Sequence, residues 1–174
     1  MSSTGIDKVL NFWFGKPGTA NYLQPKLFWY GGPEDDEMVR RSLAKEYDDA
    51  KNDKLNAWKE SDQGCLALII LLDQVPRNIF RDTPQAYATD SKALAIAKFA
   101  VGKGMDKKKP GVVRRYFYSP YNHSENLKDQ EESVRLFKDI GSSDSLYWAQ
   151  RHYDIIKEHG RFPHRDSILG RNKK

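Results

Sequence analysis

Apolar residues along this chain recur every three or four positions, the period of a helix, and strand-type alternation fails to develop anywhere. Ile6, Val9, Leu10 and Trp13 share one helical face behind Thr4 and Asp7, which form a capping box, and Gly15 ends that first helix. The stretch 16–33 is loop by its Pro and Gly content, with Phe28, Trp29 and Tyr30 packing inward. Past Pro33 the acids of "EDDE" suit a helix N-terminus, where the macrodipole favours negative charge. Val39, Leu43, Tyr47 and Ala50 then form the stripe of a second helix that stops near "KND". Ser61 or Asp62 caps a third helix, apolar on nearly every face from Cys65 to Leu72, the mark of a central element. Thr89 or Asp90 caps a fourth, whose Ala93, Ala95, Ala97 and Ala100 let another helix approach closely. Ser124 caps a fifth, with Leu127, Val134 and Phe137 as its stripe. Asp144 or Ser145 opens a sixth, with Leu146, Ala149, Tyr153 and Ile156 on one side and Gly160 at its end. The stretch "VVRRYFYS" reads as a helical turn or an extended linker. The pattern predicts an all-α fold of helix pairs packed on the Cys65–Val75 helix, without a fixed repeat period.

The central segment, "LALIILLDQVPRNIF", runs from apolar residues straight into Asp73, Gln74, Pro76, Arg77 and Asn78. If the helix continues, Asp73 and Arg77 lie one turn apart and can pair, as can Gln74 and Asn78. Pro76 lacks an N–H and clashes with the Leu72 carbonyl, so the helix kinks or stops there and frees backbone groups for nearby polar side chains. A capped, salt-bridged helix end accounts for this segment by itself. Two further clusters extend the reading. "YNHSENLKDQ" sets His123 and Glu125 at a helix start, with Gln130 interrupting an apolar stripe, and "HGRFPHRDSILGR" gathers His159, Arg161, His164, Arg165 and Asp166 around one proline. Imidazole titrates near neutrality and suits proton transfer, whereas the guanidinium fork suits carboxylate or phosphate. One expectation is therefore a pocket for a small anionic or zwitterionic molecule. In it His123 and His164, with Asp73 and Glu125, supply acid–base groups, while Arg77 and Arg165 hold the anion. The other is a helical scaffold whose concave face binds a peptide or protein.

At 174 residues the chain fits one domain, 1–174, and 39% hydrophobic with 30% charged residues excludes a disordered polymer. The net charge of +5 lies mostly in "KGMDKKKPGVVRR" and the terminal "RNKK", both read as solvated loop or tail. Aromatics follow the first run, yet no RNA- or DNA-binding motif accompanies them, so nucleic acid is not the expected partner. No apolar run approaches the ~20 residues of a membrane span, and "MSSTGIDKVLNFW" lacks the pattern of a secretion signal. The single cysteine, Cys65, has no internal disulfide partner and reads as a buried hydrophobe in a reducing, cytoplasmic setting. His152, His159 and His164 include no i, i+4 pair, and His152 reads as a packing residue, so neither metal nor cofactor is expected. Gly-x-Ser-x-Gly, Walker and Rossmann patterns are absent, which sets aside serine hydrolase, NTPase and dinucleotide chemistry.

At "FWFG", "LALIILLDQVPRNIFRDTPQAYATDSKAL", "HSENLKDQEESVRLF" and "HGRFPHRDSILGR" the chain resembles the DUF924 family, effectively end to end. The resemblance implies stacked antiparallel helices similar to those of tetratricopeptide-repeat proteins, and it implies no activity, because that family is uncharacterised. By motif match it carries over Trp13, then Asp73, Gln74, Pro76, Arg77 and Asn78, then His123, Glu125, Asp129 and Gln130, then Gly160 to Arg165. Many of these are polar and far apart in sequence, as a shared pocket requires. Trp13, Gln74, Asn78, Gln130 and Arg161 thereby join Arg77 and Arg165 as expected ligand-binding residues, and Asp166 is expected beside them although it departs from the family pattern. Val75 stands where the family pattern usually has Phe, and Asp166 where it usually has Asn, so an extra carboxylate beside His164 is expected to alter the ligand charge preferred. The chain stops soon after "ILGR", where relatives often continue, so no role is expected of a longer tail.

Overall fold

A computed structural model describes the backbone of residues 2–171 and the side chains of residues 5–171. The Thr4–Asp7 capping box and the tail residues 172–174 lie outside these. Among the described residues the secondary structure is helical and no strand occurs. Helix α1 spans Ser2–Phe14, α2 spans Pro33–Lys51 and α3 spans Asp62–Ile69. Ser61 caps α3, its hydroxyl oxygen accepting from the Gly64 N–H at 2.9 Å. Gly64 itself is dictated by packing, since a Cβ there would fall 1.9 Å from the Trp58 carbonyl oxygen. From Gly64 to Asp73 every residue is buried, so the greasy segment is the central one, as its composition demands. Helices α1 and α2, with the later helices Asp90–Gly102 and Gly111–His123, pack on it, and one apolar cluster runs from Ile6 to Ala149.

The helix does not end at Pro76. It widens into a single π turn, Ile70–Gln74, in which the Val75 N–H reaches the Ile70 carbonyl, and then continues as α4, Val75–Ile79. The wider turn accommodates the proline ring, and bulges of this kind re-aim the side chains that follow. In an α-helix the Leu72 carbonyl would accept from the N–H that Pro76 lacks; here the Thr89 hydroxyl donates to it at 2.6 Å.

Thr89 is therefore occupied, and it does not cap α5 (Asp90–Gly102) through its side chain; nor does Asp90, whose carboxylate is committed to Arg77. Ala93, Ala97 and Ala100 are sealed on the close-packed face of α5, whereas Ala95 is exposed. The largest correction is α6, Gly111–His123, since "VVRRYFYS" is neither turn nor linker but most of a 13-residue helix. Val113, Tyr116, Phe117 and Tyr121 recur at helical spacing and are buried, with Tyr118 buried beside them, and the internal Pro120 is what makes the segment read as a linker. Pro120 sits inside α6 and leaves the Tyr116 carbonyl without a helical donor. The Ser119 hydroxyl stands 3.2 Å from that carbonyl and equally 3.2 Å from the Arg115 carbonyl, sharing its one proton between them. Helix α7 (Leu127–Ile140) is capped by Asn126 rather than Ser124, its side-chain oxygen accepting from Lys128 N–H at 2.9 Å and Asp129 N–H at 3.3 Å. Helix α8 (Ser143–His159) is capped by Ser142 rather than Asp144 or Ser145, and it ends at Gly160 with φ +71°. Short connections make α6, α7 and α8 successive packed neighbours. A tight turn, Pro163–Arg165, and the four-residue α9, Asp166–Leu169, complete the described chain. None of its helices is long and apolar enough to cross a membrane.

Candidate functional site

The π turn delivers Asp73 to a fully buried position opposite the C-terminal end of α6. There its carboxylate meets His123 Nδ1 at 2.8 Å and accepts from Gln74 Nε2 at 2.9 Å. Burial opposes ionisation of Asp73. The charges of His123 and Arg77, and the hydrogen bonds from His123 and Gln74, nevertheless hold its carboxyl below the ordinary carboxylate range. Arg77, one turn further on, donates to the Asp73 carbonyl oxygen at 2.7 Å but stands 3.7 Å from its carboxylate. Its close partner is Asp90 at the start of α5, gripped in a fork at 2.7 and 3.0 Å. The anticipated Asp73–Arg77 pair is thus secondary to Asp73–His123 and Arg77–Asp90. The Gln74–Asn78 pair does not form, because Asn78 Nδ2 donates to the Phe28 carbonyl at 2.9 Å and to Asp36 at 3.0 Å.

Arg165 arrives from the turn after α8. Its side chain is buried, with the guanidinium 4.5 Å from the Tyr87 ring centroid and 4.6 Å from that of Phe162. Nη2 donates to the His123 carbonyl at 3.1 Å. Among the described residues the one carboxylate within ion-pair reach is Asp90, at 4.0 Å, and Nε has no partner. Burial and the neighbouring charge of Arg77 both disfavour its cationic form.

Arg77, His123, His164 and Arg165, drawn from three separate stretches of sequence, line one cavity of about 290 Å³ together with Arg81, Tyr87, His152, Phe162 and one acid, Asp82. His152 hydrogen-bonds Asn122 Oδ1 through Nδ1 at 2.7 Å, and burial together with the charge of His123 pushes it down to about 4. It is neutral at pH 7, with Nε2 left as an acceptor. Burial, then the charge of Arg165, also lowers His164.

Several expected residues lie elsewhere. Trp13 is sealed in the core among the rings of Phe28, Trp29 and Tyr116. Asn78 ties α4 to the Phe28 carbonyl, and Gln130 donates to the carbonyls of Asn122 at 2.9 Å and Ser124 at 2.7 Å, fixing the corner on which His123 stands. Asp166 is buried in a clamp of Arg161 at 2.9 Å and Arg171 at 3.0 Å, so it supplies no carboxylate to the His164 cavity, and Arg161 is spent on the same clamp. Glu125 orients no histidine. It accepts from the Phe162 N–H at 2.6 Å and pairs with Arg171 at 2.8 Å, bracing the segment that carries Arg165, and it lines an adjoining cavity. Gln74 faces a third hollow, also shared with His123. Sequence reasoning missed Tyr87 and Phe162 as walls, took Asp90 for a helix cap and His152 for packing. Among the described residues no group of three or more His, Cys, Asp or Glu side chains is set to hold a metal ion.

The family model described as "Bacterial protein of unknown function (DUF924)" matches residues 9–174. The chain belongs to the DUF924 family. This DUF924 chain is similar to the solved structure of ATU0120, a protein of unknown function from Agrobacterium tumefaciens: 30% identical, TM-score 0.91, covering 100% of this chain and 94% of that one. No curated protein matches it.

Proposed function

We propose that this DUF924 protein binds a small anionic or zwitterionic molecule in the Arg77–Arg165 cavity, and that the Asp73–His123 pair exchanges a proton with it. With its one cysteine unpaired, we place that work in the reducing cytoplasm. The observation that carries the reading is Arg165. A buried cation is destabilising by several kcal/mol unless paired. Yet among the described residues the one carboxylate within 4.0 Å of Arg165 is already forked onto Arg77, and the next, Glu125, is paired with Arg171. Two aromatic rings hold the guanidinium in place and leave its charge for an anion brought from outside. Asp73 supports the second half of the proposal. Sealed from solvent, it fixes the His123 ring through Nδ1, which leaves Nε2 as the nitrogen for proton exchange.

The test is calorimetric titration with inorganic phosphate, sulfate and acetate. Arg165→Met should lower the affinity of the tightest of these about tenfold or more, the value of a charge-assisted hydrogen bond. Asp73→Asn should retain binding but change the number of protons taken up on binding, read in buffers of different ionisation enthalpy. If Arg165→Met binds as tightly as the parent chain, the anion site is elsewhere; if no anion binds at all, the peptide-binding scaffold takes the place of the pocket.

A further inference from the structure

The cavity that adjoins the arginine site is the larger of the two, about 400 Å³, and it is built of different material. Leu94 of α5, Pro120 of α6 and Leu169 of α9 converge on it, with Pro84 and Ala88 from the segment between α4 and α5. Leu94 and Leu169 are only partly buried, so the molecule leaves apolar surface in the hollow that its own core does not cover. The acids that reach it are already committed, Asp90 to Arg77 at 2.7 Å and Glu125 to Arg171 at 2.8 Å. Its cation is the same Arg165 that lines the first cavity. Tyr87 and His123 are likewise common to both, so the two hollows meet along these three side chains.

We infer that the two cavities are halves of one site, and that its ligand is an amphipathic organic anion. The anionic head lies against Arg77 and Arg165, and an aliphatic body lies on Leu94, Pro120 and Leu169. This rests on the anion reading above and adds what that reading leaves open, the chemical character of the rest of the molecule. Charge separates the two halves. Three arginines, Arg81 among them paired with Asp36, and three histidines line the first with one acid, Asp82. The second has two acids and no arginine or lysine beyond the shared Arg165. A fully polar anion would leave the Leu94–Leu169 surface wet, and a simple hydrocarbon would leave Arg165 without a counter-ion; only a molecule carrying both satisfies both walls. The junction of head and body then lies beside His123, the one titratable side chain held by Asp73 and shared by both chambers.

The experiment is a titration with a homologous series: inorganic phosphate, then ethyl, butyl and hexyl phosphate, with acetate to hexanoate in parallel to distinguish phosphate from carboxylate as the head. Affinity for the parent chain should rise up to about fourfold per methylene over the first carbons. Leu169→Gln should flatten that rise while keeping the affinity for the shortest anion, which shows the arginine half still folded. If Leu169→Gln loses the short anion too, Leu94→Gln decides by the same criterion. A short anion that binds, with no gain from the chain, overturns the two-chamber ligand and leaves the anion reading standing. An equal gain in the parent and in both leucine variants puts the alkyl chain elsewhere and overturns it as well. If no short anion binds, both readings fall together.

Discussion

Arg165 is held by ring faces and one backbone carbonyl rather than by a carboxylate of its own, which makes it a stability defect in the empty protein. Arg165→Met, of similar reach and without charge, should therefore leave stability unchanged or raise it by up to about 2 kcal/mol in urea unfolding, even as anion binding is lost. An arginine retained for structure would give a loss instead. His152 makes a second prediction, through pH. Its folded value, about 4, lies below its unfolded value, ordinarily near 6.5. Between the two the unfolded chain holds a proton that the folded one refuses, so stability is full above about pH 6.5 and drains as pH falls toward 4. His164 is lowered as well and adds in the same direction. Going from pH 7 to pH 5 should cost the parent chain roughly 1–2 kcal/mol after allowance for solvent screening, and His152→Gln should lose measurably less. Equal losses in both chains would mean that His152 does not carry the titration.

At the scale of elements, the two internal prolines follow one rule. Each removes a helical donor, and in each case a hydroxyl reaches the carbonyl left behind, Thr89 for Leu72 and, shared with the Arg115 carbonyl, Ser119 for Tyr116. Thr89→Val keeps the shape and removes that donor, so it should destabilise by about 1–3 kcal/mol, the value of a buried carbonyl left unsatisfied; a change under half a kcal/mol would show the π turn satisfies Leu72 unaided. The same elements mark where the sequence was readable. The all-round apolar run of α3, the Ser61 cap and the Gly160 stop are local signals, and each stands where local chemistry puts it. Helix α6 was not readable, because Pro120 reads locally as a helix breaker although Val113, Tyr116, Phe117 and Tyr121 keep the helical spacing around it. Asp90 has the sequence context of a cap, and only the meeting of α4 and α5 commits it to Arg77. Trp13, Asn78 and Gln130 match the family motif as faithfully as Arg77 does, since residue type alone does not tell a side chain that lines a cavity from one that holds its walls in place.

At the scale of the whole molecule, the site depends on a segment attached largely by charge. Residues 161–171 carry Phe162, His164 and Arg165; Asp166 clamps Arg161 and Arg171 within the segment, and Glu125, just ahead of α7, holds it through Arg171 and the Phe162 N–H. Burial works against the Glu125 carboxylate, while Arg171 and the Phe162 N–H hold it below its ordinary range, so the brace is complete at neutral pH. Glu125→Gln should speed hydrogen exchange at the Phe162 amide severalfold while amides within α3 stay protected; uniform acceleration would mean that the segment and the core open as one unit. Those core amides surround Cys65, which is fully buried, donates to the Lys59 carbonyl at 3.4 Å, and has its thiol pushed up to about 11 by burial and the charge of Asp62. A thiolate-seeking reagent at neutral pH therefore finds nothing to attack until the helices around α3 part. Labelling of this one sulfur counts such partings as they occur, so the protein carries its own clock for global opening, with no probe added.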